Sequence, residues 1–420
     1  MLVYKFGGGV LPGPDGIERM LRILRGKIAD PATRKIIVVV SALGKMTNAF
    51  EYLWRCWIGK KDATHAFSVI KDFHYGVTAT ILGEEKAFTI LHPLFEKIEG
   101  IISGPVPGNE KMAYDQLVCY GELLSSRIIS EYFTKNGLRH RLVDAGDLII
   151  TDSNYRDAKP DWPATDERVR LKLGNGEKDG LFLTQGFISR SIDGMPTTLG
   201  REGSDFSAAI IASVLRANEL IIWKDVPGIM TSDPDIFPDS QKMDSVSYIE
   251  AIELSYFGAK VLHPNTIKPL HNRNIPLTVK SIYNPGDSGT VVKTDPLIED
   301  ERPVIIIKPN QVLVSILPRD LSFIMEDRLS SLFAYLSENN IKSNLFQHSA
   351  VSISICIDYY EILVNKMVSD LIADYRILYN AGLDLLTIRH YTGEVIDRYT
   401  AGRKIYVRQQ SRRTARFVMR

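Results

Sequence analysis

Lys5 stands two residues ahead of a run of three glycines in "VYKFGGGV", a combination suited to holding an anion. The residues around the lysine are apolar or aromatic and give the period of a short strand ending at Phe6, after which Gly7, Gly8 and Gly9 free the backbone of side chains. Backbone N–H groups can approach a phosphate there, with Lys5 beside it as a point charge. Taken alone, the run reads more simply as a tight strand-to-helix turn. A second stretch, "TTLGREGSDFSAAIIASVL", carries Arg201, Ser204 and Asp205 on a loop that runs into a helix with apolar positions at Ile210, Ile211, Val214 and Leu215. A helix start offers free N–H groups and the positive end of a dipole to phosphate or carboxylate, and Arg201 can make a bidentate contact. Asp205 either caps that helix or orients Lys5 or a phosphate-bound Mg²⁺, and the composition of the loop leaves both open.

Such groups need a scaffold, and the chain is long enough to build one. With 420 residues, 45% hydrophobic and 24% charged, it has room for two or three domains with real cores. Fifty-one Lys and Arg against 50 Asp and Glu leave a net charge of +1, so no overall field draws in nucleic acid or anionic lipid. The basic "RRTARFVMR" end reads as an edge strand rather than a nucleic-acid arm. Three widely spaced cysteines, Cys56, Cys119 and Cys356, show no metal-ligand spacing and suit a reducing cytoplasm. A strand beginning at residue 2 leaves no room for a signal peptide, and no apolar run is long enough to span a bilayer.

Strand and helix signals alternate from the start to about Val292, as in a parallel sheet covered by helices. The β-branched run Ile36 to Val40 predicts a strand buried on both faces. Residues 46 to 136 read as mostly helical, closing on Gly137, and further strands read at "HRLVDA", "GLFLTQGF", "ELIIWKDV" and "IPLTVKS". Ser247 and Glu250 form a capping-box pair. After the link "KTDPLIEDERP" the order becomes β-α-β-β-α-β, the ferredoxin-like arrangement, with Val351, Ile353, Ile355 and Ile357 on a buried face and Ser352, Ser354, Cys356 and Asp358 on a solvated one. The tail strands around "RKIYVRQ" and "TARFVM" are expected to be too short for a core of their own, and to be candidates for pairing with a partner chain.

The order of "KFGG", "VVSALGKMTN", "YGELLSSRI", "LTQGFI", "LGREGSDFSAA", "WKDVPGIMTSDP" and "YFGAKVLHP" resembles the aspartokinases of the amino acid kinase family. The resemblance covers essentially the whole of residues 1–293. It implies an α/β fold, an amino acid kinase-like open α/β sandwich at 1–293, followed by a C-terminal ferredoxin-like (ACT) α+β domain at 305–420. It further implies transfer of the γ-phosphoryl group of ATP to the side-chain carboxylate of L-aspartate, with Mg²⁺ arriving on the nucleotide and no protein metal cage. By the same likeness Lys5 neutralises the transferred group, Ser41 lies near it, Asp205 orients Lys5, and Gly7 and Gly8 admit the phosphates. Thr47, Glu122, Phe187, Arg201 and Ser204 match positions that hold the aspartate, Glu122 taking its amino group. Lys224, Asp225, Met230, Asp233 and Lys260 fall on the nucleotide side. A homodimer and a lysine or threonine effector at the C-terminal domain are also implied, with no nucleic-acid or membrane partner.

The sequence departs from the family pattern at the site itself. Gly9 and Val10 replace two hydroxyl residues, Glu202 stands where the family has glycine, and Lys224, Met230 and Asp235 replace the usual Thr, aromatic and Arg. A carboxylate at 202 close to a phosphate would repel it by several kcal/mol at an effective dielectric of about 20. The competing expectation is therefore a non-catalytic, amino-acid-sensing relative whose phosphoryl site has decayed.

Overall fold

The computed structural model describes residues 1–174, 180–259, 262–294, 301–320 and 322–420. Two compact units are present: Met1–Ile229 with Lys242–Ser255 and Val261–Asp300, and Met230–Gln241 with Tyr256–Lys260 and Glu301–Arg420.

The first unit is organised on an eight-stranded sheet. Its strands run in the order Arg141–Val143, Gly180–Gln185, Lys35–Val40, Leu2–Phe6, Glu219–Lys224, Leu277–Ser281, Thr290–Lys293 and Ser245–Ser247. Neighbours pair in parallel, except that Leu277–Ser281 and Thr290–Lys293 are antiparallel. All six residues of Lys35–Val40 are buried, as a β-branched run in the middle of a helix-covered sheet must be. The helical stretch is five helices, Thr47–Ile58, Thr64–Leu82, Glu84–Ser103, Glu110–Val118 and Tyr120–Lys135. Their apolar faces join Tyr4, Phe6, Val38 and Val40 in one core. Gly137 ends the last of them at φ 70°, with Leu138 N–H reaching back to the Phe133 carbonyl at 2.9 Å. Ser247 Oγ accepts from Glu250 N–H at 3.1 Å, so the capping residue sits where its spacing predicts. A small sheet of Ile150–Thr151, Ile188–Ser191 and Pro196–Thr198, not legible in the pattern, lies beside the main one.

Because the central strands are parallel, their carboxyl ends share one edge. The loops after Phe6, Val40, Gln185 and Lys224 emerge there, tied by Ser41 N–H to the Phe6 carbonyl at 3.2 Å and Gly186 N–H to the Val40 carbonyl at 2.8 Å. Open α/β sheets bind ligands at this edge.

The second unit holds a six-stranded antiparallel sheet in the order Ser343–His348, Ile353–Asp358, Val304–Pro318, Tyr375–Arg389, Thr414–Met419, Ile405–Gln410. Helices Glu326–Glu338 and Glu361–Leu371 complete the expected β-α-β-β-α-β order. Three expectations are corrected. The Thr414–Met419 strand is interior rather than an edge, and all its residues are buried. It and Ile405–Gln410 extend the chain's own sheet instead of standing apart, because Val304–Pro318 and Tyr375–Arg389 are each 15 residues long and outrun the first half. A helix at Gly393–Thr400 packs Ile396 onto that extension. Finally, Cys356 is fully buried with Leu313, Leu345 and Leu383, so the second face of its strand is solvated only in part, Ser354 being half-buried and Asp358 exposed, whereas Val351, expected on the buried face, is exposed.

Candidate active site

Lys5 lies on the opening strand and is 6% exposed; its ammonium forms an ion pair with Asp205 Oδ1. Asp205 sits in the first turn of the buried helix Gly203–Leu215, and Lys224, at the end of the neighbouring strand, places its Nζ 3.7 Å from Asp205 Oδ2. Burial alone would push the Asp205 carboxyl up, but Lys5 and then Lys224 outweigh it and hold the group below the usual carboxylate range. Burial likewise opposes the charge of Lys224, yet Asp205, Glu202 and Asp225 keep its ammonium above its ordinary value. Two cations thus converge on one carboxylate at the carboxyl edge of the sheet, a charge pattern that receives phosphate.

The glycine loop is fitted to the next loop of the edge. A side chain at Gly8 would collide with the Ala42 carbonyl, whereas one at Gly7 would meet only the Lys5 amine, at 2.9 Å. The Ala42 N–H donates to Glu122 Oε1 at 3.3 Å, and Ser125 Oγ donates to the Ser41 carbonyl at 2.6 Å, so the loop after the second strand is held by helix Tyr120–Lys135.

Next to the ion pair is a cavity of about 430 Å³. Ser41, Thr47, Glu122, Phe187, Arg201 and Ser204 all line it, although they come from four separate stretches of sequence. Glu122 is 1% exposed and its Oε2 has no hydrogen-bond partner; burial pushes its carboxyl up to about 8, against the Ala42 N–H and Ser41. A buried carboxyl of this kind is prepared for a cationic ligand group. Phe187 adopts φ 67° with its N–H on Ser207 Oγ at 2.9 Å, and its ring packs so close to Gly203 that a Cβ there would be 2.8 Å away.

Glu202 also lines the cavity, in the left-handed region at φ 53°, a conformation that favours glycine. Its Oε2 is buried, and its carboxyl is raised by burial and by Asp205 while Lys224 opposes the rise. The side chain is therefore turned toward the charged cluster. Two of the departures from the family pattern, Glu202 and Lys224, are opposite charges that act on one another.

Asp225 is exposed at the end of its strand. Met230 and Asp233 belong to the second unit, where Asp233 closes a turn by accepting the Asp235 N–H at 3.1 Å. Lys260 lies outside the described residues. The sequence reading did not single out Glu51, Tyr114 and Arg156, which complete the wall of the cavity. An exposed arginine, a glutamate and a tyrosine in helices and loops carry no local signal; only the tertiary fold joins them.

Residues 1–281 match the model of the amino acid kinase family. The chain belongs to the amino acid kinase family. It is 32% identical over 373 residues to Aspartokinase 3, chloroplastic, of Arabidopsis thaliana, covering 85% of this chain but 64%, under two thirds, of that protein. It is 29% identical over 401 residues to the lysine-sensitive aspartokinase 3 of Escherichia coli (strain K12), covering 92% of this chain and 86% of that one. Among solved structures, E. coli aspartokinase III in complex with aspartate and ADP (R-state) matches at 27% identity with a TM-score of 0.83, over 100% of this chain and 96% of that chain. The fold is accordingly that of an aspartokinase, a kinase-like parallel-sheet unit with a C-terminal antiparallel-sheet unit.

Proposed function

We propose that this protein is an ATP-dependent aspartate kinase, transferring the γ-phosphoryl group of ATP to the side-chain carboxylate of L-aspartate, the first step toward lysine, threonine and methionine. The observation that carries this reading is the Lys5–Asp205 ion pair at the edge of a cavity lined by Glu122 and Arg201.

In the reaction an oxygen of the aspartate side chain attacks the γ-phosphorus, the bond to the β–γ bridging oxygen breaks, and ADP departs, leaving an acyl phosphate. Such a transfer depends on position and charge stabilisation more than on covalent help from the protein. Lys5 and Lys224 meet the charge on the transferred group, and Asp205 fixes both amines. The backbone of Gly7 and Gly8 admits the phosphates, with Ser41 beside them. Glu122 takes the substrate ammonium, Arg201 a carboxylate, and Thr47, Phe187 and Ser204 shape the remaining wall. The sequence pattern assigns Lys224, Asp225, Met230, Asp233 and Lys260 to the nucleotide.

No group of three or more His, Cys, Asp or Glu side chains suited to a metal occurs among the described residues. Mg²⁺ brought by the nucleotide would take phosphate oxygens as its ligands, and Asp205 is the carboxylate that the ion-pair cluster could offer it. The ion would neutralise phosphate charge. A homodimer, a cytoplasmic location and inhibition by lysine or threonine belong to the same reading. The lysine sensitivity in the name of the E. coli relative supports the effector, and three cysteines that are all buried and unpaired support the location. Among the described residues no helix is long and apolar enough to cross a membrane.

A coupled assay of ADP release with L-aspartate tests the reading. Lys5→Ala and Asp205→Ala should each lower kcat by about 100-fold or more, the scale of losing one preorganised charge contact in a transition state. Glu202, half-buried with its Oε2 enclosed beside Asp205, favours the alternative of a non-catalytic relative. ATP binding with no turnover of any small carboxylic acid would establish that alternative instead.

A further inference from the structure

The aspartate site contains a second guanidinium that the family pattern does not explain. Arg156 lies on the loop between Ile150–Thr151 and helix Trp162–Val169 and lines the same cavity as Arg201. Its backbone is in the left-handed region at φ 72°, unusual for a residue with a Cβ. That conformation is over-determined by its surroundings. Both oxygens of Asp115 accept the Arg156 N–H, at 3.2 and 3.0 Å, and the same carboxylate accepts Thr198 N–H at 3.0 Å and Thr198 Oγ1–H at 2.7 Å. Asp115 is fully buried. On the other side the Arg156 carbonyl lies against Gly200, where an added Cβ would stand 3.2 Å from it, so the loop is docked directly onto the residue preceding Arg201.

The side chain, exposed overall, rests on aromatic rings. Its guanidinium carbon lies 4.2 Å from the centroid of Tyr114 and 5.1 Å from that of Trp54, and the Tyr114 hydroxyl donates to Glu51 at 2.7 Å. Stacking holds the fork in one plane while leaving its donors along the edge free to act. Among the described residues the guanidinium makes no ion pair or hydrogen bond. Strained backbone held this firmly, carrying a charged group with unused donors on a cavity wall, is the arrangement expected of a ligand contact.

L-Aspartate brings one ammonium and two carboxylates. Glu122 answers the ammonium, and the acceptor carboxylate must face the γ-phosphoryl group at the Lys5–Asp205 end. We propose that Arg156 is a specificity-determining residue that grips the other carboxylate, on the α-carbon, bidentately and alongside Arg201. This inference rests on the aspartate-kinase reading and deepens it.

The test uses the full chain with Arg156→Gly, which suits a left-handed backbone, and Arg156→Lys. Steady-state kinetics are measured with L-aspartate and with its α-amide, which keeps the acceptor carboxylate but lacks the charge that Arg156 would hold. Calorimetric titration with L-aspartate gives binding independently of turnover. Arg156→Gly should raise both KM and Kd for L-aspartate at least tenfold, with kcat within threefold and KM for ATP unchanged. The preference for L-aspartate over the α-amide should fall by the same factor, and added guanidinium should restore part of it. Arg156→Lys should recover only part of the preference, and Tm of Arg156→Gly should be no lower than that of the parent. A parent that phosphorylates L-aspartate, with an unchanged preference in Arg156→Gly, overturns the clamp and leaves the kinase standing. A parent that binds L-aspartate through Arg156 but never phosphorylates it overturns the kinase and supports the clamp. A parent that neither binds nor phosphorylates L-aspartate overturns both.

Discussion

Glu122 connects the chemistry of one residue to two measurable quantities. Burial raises its carboxyl from 4.5 to about 8, so near neutral pH the folded protein keeps a proton that the unfolded chain has released. Between those two values stability must fall as pH rises, because the unfolded state binds fewer protons; above about 8 the dependence flattens. Denaturant midpoints should therefore show the parent losing stability relative to Glu122→Gln across that window. A flat difference would mean that Glu122 is ionised in the folded protein. Arrival of the substrate ammonium reverses the preference for the neutral form, so aspartate binding at neutral pH should release close to one proton, read as a dependence of binding enthalpy on the ionisation enthalpy of the buffer. Glu122→Gln should abolish both the release and most of the affinity, since truncating one partner of a buried charge pair costs about 2–5 kcal/mol. The motif around Glu122 was legible in the sequence, but its burial was not. Arg156 was wholly invisible because its partner Asp115 is 41 residues away and the contact exists only once the small sheet has formed.

Among the elements, the strand-to-helix turns decide what the site can be. Parallel pairing brings the loops after Phe6, Val40 and Gln185 to one edge, and the fit between them is tight at particular glycines. Gly7 and Gly8 are adjacent yet should respond differently to a methyl group. At Gly7 the new Cβ meets the flexible end of Lys5, which can move away; at Gly8 it meets the Ala42 carbonyl, which cannot move without the loop. Gly7→Ala should thus displace the catalytic amine, lowering kcat about tenfold or more with little change in Tm. Gly8→Ala should destabilise the fold by about 1–3 kcal/mol, the usual cost of overpacking, and weaken ATP binding as well. Thermal denaturation paired with kinetics separates the two, and equal effects on both measures at both positions would contradict this account of the loop. The sequence revealed these elements because a run such as Lys35–Val40 can bury every residue only inside a covered sheet. It concealed Ile188–Ser191 and Pro196–Thr198, four and three residues long, which are too short to show a period.

For the molecule as a whole, the chain's second unit is the place to look for control. Its two 15-residue strands each serve both halves of one sheet, so the tail strands Ile405–Gln410 and Thr414–Met419 complete that sheet within the chain. Periodicity marks these two short strands but carries no sign that the strands before them are long enough to receive both. If lysine or threonine binds here and opposes catalysis, thermodynamic linkage fixes two consequences. An effector present at 100 times its Kd adds about 2.7 kcal/mol to the stability of the state it binds, which thermal denaturation of the full chain should register. Whatever factor the effector takes from aspartate affinity, aspartate must take the same factor from the effector's affinity. Calorimetric titrations of lysine and of threonine, each with and without saturating aspartate, should give matching factors for one of the two amino acids, in the range of about 5- to 150-fold that such coupling spans. Absence of heat for both amino acids, with no shift in Tm, would remove the effector from the proposal while leaving the catalytic reading to stand on the Lys5–Asp205 pair.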